Sequence, residues 1–362
     1  MCGVVSAAAW LAGTALEPGL ETALSLALGL AFGALPPARA RLLAGARLAA
    51  RFALRVGITL LGARLTVGQV LDTGGASVLA IIAVVSIGLV VTSWLARHIG
   101  VGQPLSSLIA VGMAICGNSA ILALAPIVRA PDRDTAYAVS TITLFGLIGV
   151  LTLPLLGASL GLSDAVMGTW AGLAVNDTAQ VVATGYAFSP PAGDVATVVK
   201  LTRNLAILPV LLGASWLAVR AAAATADADA AAAAAAEGSR FGGSRPGWTV
   251  GLVARAMPWF VVGFVAFAGL RSAGLLDGVT PAGGTLAELC SMTATLLILV
   301  ALAGVGISTD VQTMLGVGAR PLLLGASMWI VIGLLGLGLA TVATVAAGPA
   351  SSGSQLAVYH AG

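Results

Sequence analysis

Apolar residues recur in long runs over nearly the whole chain, parted by short polar or basic breaks. Roughly 20 consecutive apolar residues make a helix able to cross a bilayer, so the pattern predicts an all-α polytopic membrane protein. The runs fall at residues 22–35, 52–65, 77–96, 105–128, 136–160, 164–187, 195–219, 250–270, 286–307 and 321–347. A shorter one lies at 4–16, so ten transmembrane helices are expected, or eleven if the first run crosses. Residues 220–247 hold an alanine run, Gly-Gly and Pro246, and read as a low-complexity cytoplasmic linker between the spans of 1–219 and those of 248–347. A short tail, 348–362, completes what reads as one membrane domain.

Two runs carry polar groups at their centres, where hydrocarbon penalises any polar group without a partner. The first is Ile115-Cys116-Gly117-Asn118-Ser119-Ala120. It reads as a helix broken near the membrane midplane with Asn118 and Ser119 facing a site, or as small residues that allow close helix packing. The second is Asn176-Asp177-Thr178-Ala179-Gln180. An ionisable residue inside an apolar run marks a functional site by default, unless the run hides a solvated turn. Lys200 and Arg203 stand three apart on one helical face; they would compensate Asp177, bind an anion, or snorkel at a helix end. Arg64 poses the same choice. Cys116-Gly-Asn-Ser-Ala120 is echoed by Cys290-Ser-Met-Thr-Ala294, five spans later. An odd offset inverts the second copy, so the echo predicts inverted five-helix repeats with discontinuous crossing helices, the second broken at Thr293 and Thr295. A second echo, Leu61-Gly-Ala-Arg-Leu-Thr66 with Val305-Gly-Ile-Ser-Thr-Asp310, has a different offset.

Composition sharpens the class. Charged residues are only 9% of the chain and the mean hydropathy is +1.04, against roughly a quarter charged in soluble domains. The net charge of +3 is scattered between spans, which suits membrane orientation and not nucleic acid. Arg39, Arg41, Arg47, Arg51 and Arg55 form the most basic stretch, read as a cytoplasmic loop. Arg97, the 220–245 linker and Arg320 then fall on the same side, and Glu17, Glu21, Asp72, Asp277 and Glu288 on the other. The cysteines Cys2, Cys116 and Cys290 have no metal-ligand spacing. Phosphate-loop, dinucleotide and nucleophile-elbow motifs are absent, so neither an enzyme, a metal nor a cofactor is expected.

Five stretches resemble the YeiH-like sulfate-exporter family of bacterial inner-membrane proteins. They are Leu61-Gly-Ala-Arg-Leu-Thr-Val-Gly-Gln69; Ile115-Cys-Gly-Asn-Ser-Ala-Ile121 with Ala125-Pro-Ile-Val-Arg-Ala130; Asp177-Thr-Ala-Gln-Val-Val-Ala-Thr-Gly185; Lys200-Leu-Thr-Arg203 with Pro209; and Gly306-Ile-Ser-Thr309 with Ala319-Arg-Pro-Leu-Leu323. The resemblance implies an inverted-repeat transporter, distantly like cation/proton antiporters and bile-acid symporters, with an anion as substrate; related folds suggest a homodimer. Members of that family usually carry His where this chain has Asn176, so a proton step through that histidine would be missing here or left to Asp177.

The expectation is a secondary transporter of a small anion, sulfate or an organosulfonate, exported through the inner membrane by alternating access. Cys116, Gly117, Asn118, Ser119, Asn176 and Gln180 would bind it, with Lys200 and Arg203 supplying positive charge. Asp177 would couple transport to protons or sodium. The alternatives are a cation/proton antiporter using Asp177 and a membrane scaffold that transports nothing.

Overall fold

The computed structural model describes Ser6 and residues 20–33, 36–207, 209–214, 259–278, 284–309 and 318–346. The run at 4–16 (Ser6 apart), the 220–247 linker and the 348–362 tail lie outside the described residues. Every regular element among the described residues is a helix.

Helix α1 (Leu20–Gly33) is followed by α2 (Pro36–Leu48), which runs through a π turn (Ala49–Ala53) into α3 (Leu54–Leu61) and a 3₁₀ turn (Gly62–Arg64). Leu48, Ala53, Leu54 and Gly62 all keep helical dihedrals, so residues 36–64 form one rod. The basic stretch expected as a loop is therefore helical. Alanine, leucine and arginine are all strong helix formers, and Arg47, Arg51 and Arg55 sit four apart with exposed side chains.

After α4 (Val67–Ile99) come α5 (Leu105–Ala114), α6 (Asn118–Leu124), α7 (Asp132–Ser159), α8 (Asp164–Ala174), α9 (Thr178–Phe188) and α10 (Pro190–Asn204). The last helices among the described residues are α11 (Trp259–Ser272), α12 (Leu286–Ser308) and α13 (Ala319–Ala346). Five described helices are long and apolar enough to cross a membrane: Val67–Ile99, Asp132–Ser159, Pro190–Ala214, Leu286–Ser308 and Ala319–Val345.

The runs at 105–128 and 164–187 were expected to cross, but each doubles back. Ser189, just after α9, hydrogen-bonds Asp164 at the start of α8 (Oγ to Oδ1, 2.5 Å). On a straight helix those residues would lie about 38 Å apart. A Cβ on Gly112 of α5 would meet the Ile121 side chain of α6 at 2.9 Å, where straight continuation gives about 14 Å between backbones. Both pairs are helical hairpins that enter and return.

Helix α7 lies against both. Its Gly149 approaches Val175 and its Gly157 approaches Met167 and Phe188, so the base of the α8–α9 hairpin sits at the C-terminal end of α7. The α5–α6 hairpin returns through residues 125–131 to the N-terminal end of α7, and Gly112 faces Ile142. The hairpins thus enter from opposite ends of α7, and their tips meet beside its middle.

Around this centre the helices form two bundles. Leu26, Ile58, Leu61, Phe264, Ala294 and Ile298 join α1, α3, α11 and α12, and Val150, Val182, Tyr186 and Leu201 bring α7, α9 and α10 into the same core. Val84, Leu108, Ile121, Ile142, Met328 and Ile332 join α4 to α7 with α13. A Cβ on Gly29 would lie 2.5 Å from the Ala303 carbonyl oxygen, so α1 meets α12 backbone to backbone. The Arg320 guanidinium lies beside Gly100 at one end of the molecule, and the Val67 amide donates to Ser272 (2.8 Å) at the other. Arg97 and Arg320 therefore share one end, and Asp72 and Asp277 the opposite end, as the charge bias predicts.

The expected second break at Thr293 and Thr295 is corrected. Helix α12 is continuous there, and the two hydroxyls donate to the carbonyls of Leu289 (2.8 Å) and Ser291 (3.1 Å). A threonine hydroxyl that bonds back onto its own helix needs no interruption. The echo of residues 116–120 in 290–294 does not mark a second break.

Candidate functional site

Each hairpin tip has a local cause. Gly117 has φ +64° and ψ −125°, a region open to glycine, and its amide donates back to Gly112 (3.0 Å), which closes α5 and frees the chain to reverse. At the other tip, Val175 and Asp177 are extended, and Asp177 caps α9 by accepting from the Ala179 amide on Oδ1 (2.9 Å). The tips touch: a Cβ on Gly117 would lie 3.3 Å from the Asn176 carbonyl carbon.

Reversal at membrane depth strands the last carbonyls of α5 and α8, which have no amide four residues on. Lys200 and Arg203, both fully buried on α10, match them. The Lys200 ammonium donates to Ile115 (2.9 Å) and Val175 (3.1 Å). The Arg203 guanidinium donates to Met113 (2.7 Å), Ala114 (3.0 Å), Gly172 (3.2 Å), Leu173 (2.7 Å) and Val175 (3.2 Å). Two cations at two helix C-termini also oppose the negative ends of both dipoles. These donors bind backbone carbonyls, and both side chains are enclosed.

The opposite side of the junction is held loosely. The Asn118 amide nitrogen lies 3.4 Å from Thr143 Oγ1 and 3.5 Å from Asp177 Oδ2. Gln180 donates to the Thr143 carbonyl (3.0 Å), and Asn176 to the Met113 sulfur (3.2 Å). The amide oxygens of Asn118, Asn176 and Gln180 are buried without a hydrogen-bond partner, although such groups nearly always have one. Asn118 and Asp177 are half-buried, Ser119 is exposed and Cys116 is buried in the tip. The structure thus gathers Asn118, Asp177 and Gln180 around Thr143, places Asn176 at Met113, and leaves Thr293 and Thr295 outside.

Sequence reading missed Thr143, whose only mark was a hydroxyl in a mid-span position. It also missed Tyr186 and Asp194, which meet Arg64. The signal for Asp194 was present. Ser189-Pro190-Pro191 starts α10 with a serine cap and proline in the first turn, which places Asp194 within the helix and not before it.

The family model described as "Conserved hypothetical protein 698" matches residues 1–325. A UPF0324 membrane protein of Clostridium tetani is 32% identical over 270 residues, 74% of this chain and 73% of its own length. One from Streptococcus mutans is 32% identical over 304 residues, 82% of each chain, and one from Streptococcus agalactiae 31% identical over 301, 81% of each. No solved structure gives a significant match.

Proposed function

The chain belongs to the conserved hypothetical protein 698 family of multi-pass membrane proteins, and from that premise we propose that it is a secondary transporter of a small oxyanion, sulfate or an organosulfonate. The observation that carries this reading is the charge balance where the hairpin tips meet. Each helix end carries about half a charge, so the two C-termini and two N-termini at the tips roughly cancel. By formal charge, Lys200 and Arg203 outnumber Asp177 by one at membrane depth, where a charge is costly. A bound anion neutralises it.

Non-helical backbone at this depth persists only where protein buries it or where it lines a cavity. Hairpins entering from opposite sides give a transporter one central site reachable from each side in turn. Asn118, Ser119, Asn176 and Gln180 contact the anion, with Cys116 and Gly117 shaping the tip. Asp177 couples export to protons or sodium, because its carboxylate competes with the anion for the same positive surroundings.

The test is thermal stability of the purified protein across sulfate, methanesulfonate, chloride and sodium at two pH values. A ligand bound only by the folded state raises the melting temperature by mass action. A shift with sulfate or sulfonate that is lost in Asn118→Ala supports the reading; a shift with sodium or pH alone, lost in Asp177→Asn, rejects it. That second outcome belongs to a cation/proton antiporter, which the unpartnered oxygens of Asn118, Asn176 and Gln180 favour, since amide oxygens and a carboxylate are cation ligands.

A further inference from the structure

We propose that Asn118, Thr143 and Asp177 form a sodium site where the hairpin tips meet, and that sodium is needed there when the bound anion is divalent but not when it is monovalent. The inference rests on the reading of the protein as an oxyanion transporter; it names the coupling ion and what decides the need for it.

The three side chains come from three elements: Asn118 starts α6, Thr143 lies mid-way along α7, and Asp177 caps α9. The Asn118 amide nitrogen lies 3.4 Å from Thr143 Oγ1 and 3.5 Å from Asp177 Oδ2. Both distances exceed the usual range for a hydrogen bond from nitrogen. They fit a different arrangement. A hard cation holds oxygen ligands at about 2.3–2.6 Å, so adjacent ligands in an octahedral set stand about 3.3–3.7 Å apart. A half-turn of the Asn118 amide puts its oxygen where the nitrogen now lies. Amide, hydroxyl and carboxylate oxygens then surround one point, with two edges at that spacing.

Thr143 is free to act as a ligand, because its hydroxyl proton goes to the Val139 carbonyl (2.8 Å) and its lone pairs remain. The Asp177 carboxylate caps α9 through the amides of Ala179 and Gln180, and each of its oxygens can accept more than one bond. The same half-turn moves the Asn118 amide nitrogen to the place where its oxygen has no partner. A donor there serves an oxyanion, so one side chain contacts both ions.

Formal charge decides when sodium is needed. Two cations, Lys200 and Arg203, less one carboxylate, Asp177, leave +1. A monovalent sulfonate brings the sum to zero unaided. Sulfate, divalent at neutral pH, brings it to −1, and one sodium ion restores zero. Sodium without an anion raises it to +2. Net charge is costly at this depth, so sodium and sulfate bind together, a sulfonate binds without sodium, and sodium does not bind alone. A proton on Asp177 would balance sulfate equally well, but it uses no oxygen from Asn118 or Thr143.

The experiment titrates the full-length purified protein with sulfate and with methanesulfonate, read by thermal shift. Each titration runs in sodium chloride and in N-methylglucamine chloride at matched ionic strength. Sodium should raise sulfate affinity about tenfold or more and change methanesulfonate affinity by less than about twofold. In Asp177→Asn the two cations balance sulfate unaided, so sulfate should bind in N-methylglucamine as tightly as it binds the wild type in sodium. Damage to the fold does not produce such a gain. If that variant folds poorly, Thr143→Val decides: its sulfate affinity in sodium should fall to the N-methylglucamine value. Sulfate binding that is equal in both media, or that follows pH in place of sodium, overturns the sodium site and leaves the anion reading standing. Sodium that strengthens methanesulfonate as much as sulfate overturns the charge rule. A protein that no oxyanion stabilises in either medium, or that sodium alone stabilises, overturns the anion reading and this inference with it.

Discussion

On one side of the tip junction, Lys200 and Arg203 make seven hydrogen bonds to the backbone carbonyls of α5, α8 and the tips. On the other, Asn118 makes long contacts to Thr143 and Asp177, Gln180 bonds the Thr143 carbonyl, and three amide oxygens nearby have no partner. Both sides are polar and both lie at membrane depth. The first answers a debt of the fold itself, since a hairpin that reverses in hydrocarbon strands its carbonyls whatever the protein does. The second answers no such need, and groups left loosely matched in a buried place are the ones a ligand can complete. Polarity inside a membrane protein thus divides into what the reversal of the chain demands and what remains.

The largest effect should come from the matched side. Arg203→Gln removes a charge that satisfies five carbonyls, and a loss on the order of 3–5 kcal/mol is expected. The protein should fail to give a monodisperse peak on size-exclusion chromatography; a stable, well-folded variant would break the comparison. Next is Gly146→Ala on α7. Its Cβ would fall 1.9 Å from Gln180 Oε1, so the Gln180 amide must move. Overpacking of this kind costs about 1–3 kcal/mol, read as a lowered melting temperature with weakened ligand shifts. Asp177→Asn keeps the shape and the α9 cap, so stability should change by less than about 1 kcal/mol while ion dependence disappears from ligand binding. Unfolding as severe as that of Arg203→Gln would move Asp177 to the structural side. Smallest of all is Thr293→Ala: among the described residues its hydroxyl bonds only to its own helix, and a change within about 0.5 kcal/mol in thermal unfolding is expected.

Much of the junction was legible because expense is visible in one dimension. Asn118 and Asp177 stand out in apolar runs, and a group that hydrocarbon penalises must have a structural reason wherever the chain leads. The roles of Lys200 and Arg203 were not legible, because snorkelling, ion pairing and carbonyl capping use the same residues at the same spacing. The false second break arose from local similarity: threonines in an apolar run look alike whether the helix breaks or bonds back onto itself.

The hydropathy pattern by itself determined a helical, multi-pass membrane protein, the two interrupted runs, and the sharing of ends by the charged residues, because each follows from local composition. Only the tertiary structure decided that the interrupted runs return instead of crossing, that their tips meet, and which polar groups stay unmatched. A run of 24 apolar residues with a polar centre, such as 105–128, has the same hydropathy straight or folded. Contacts made far along the chain, with α7 and α10, select between the two.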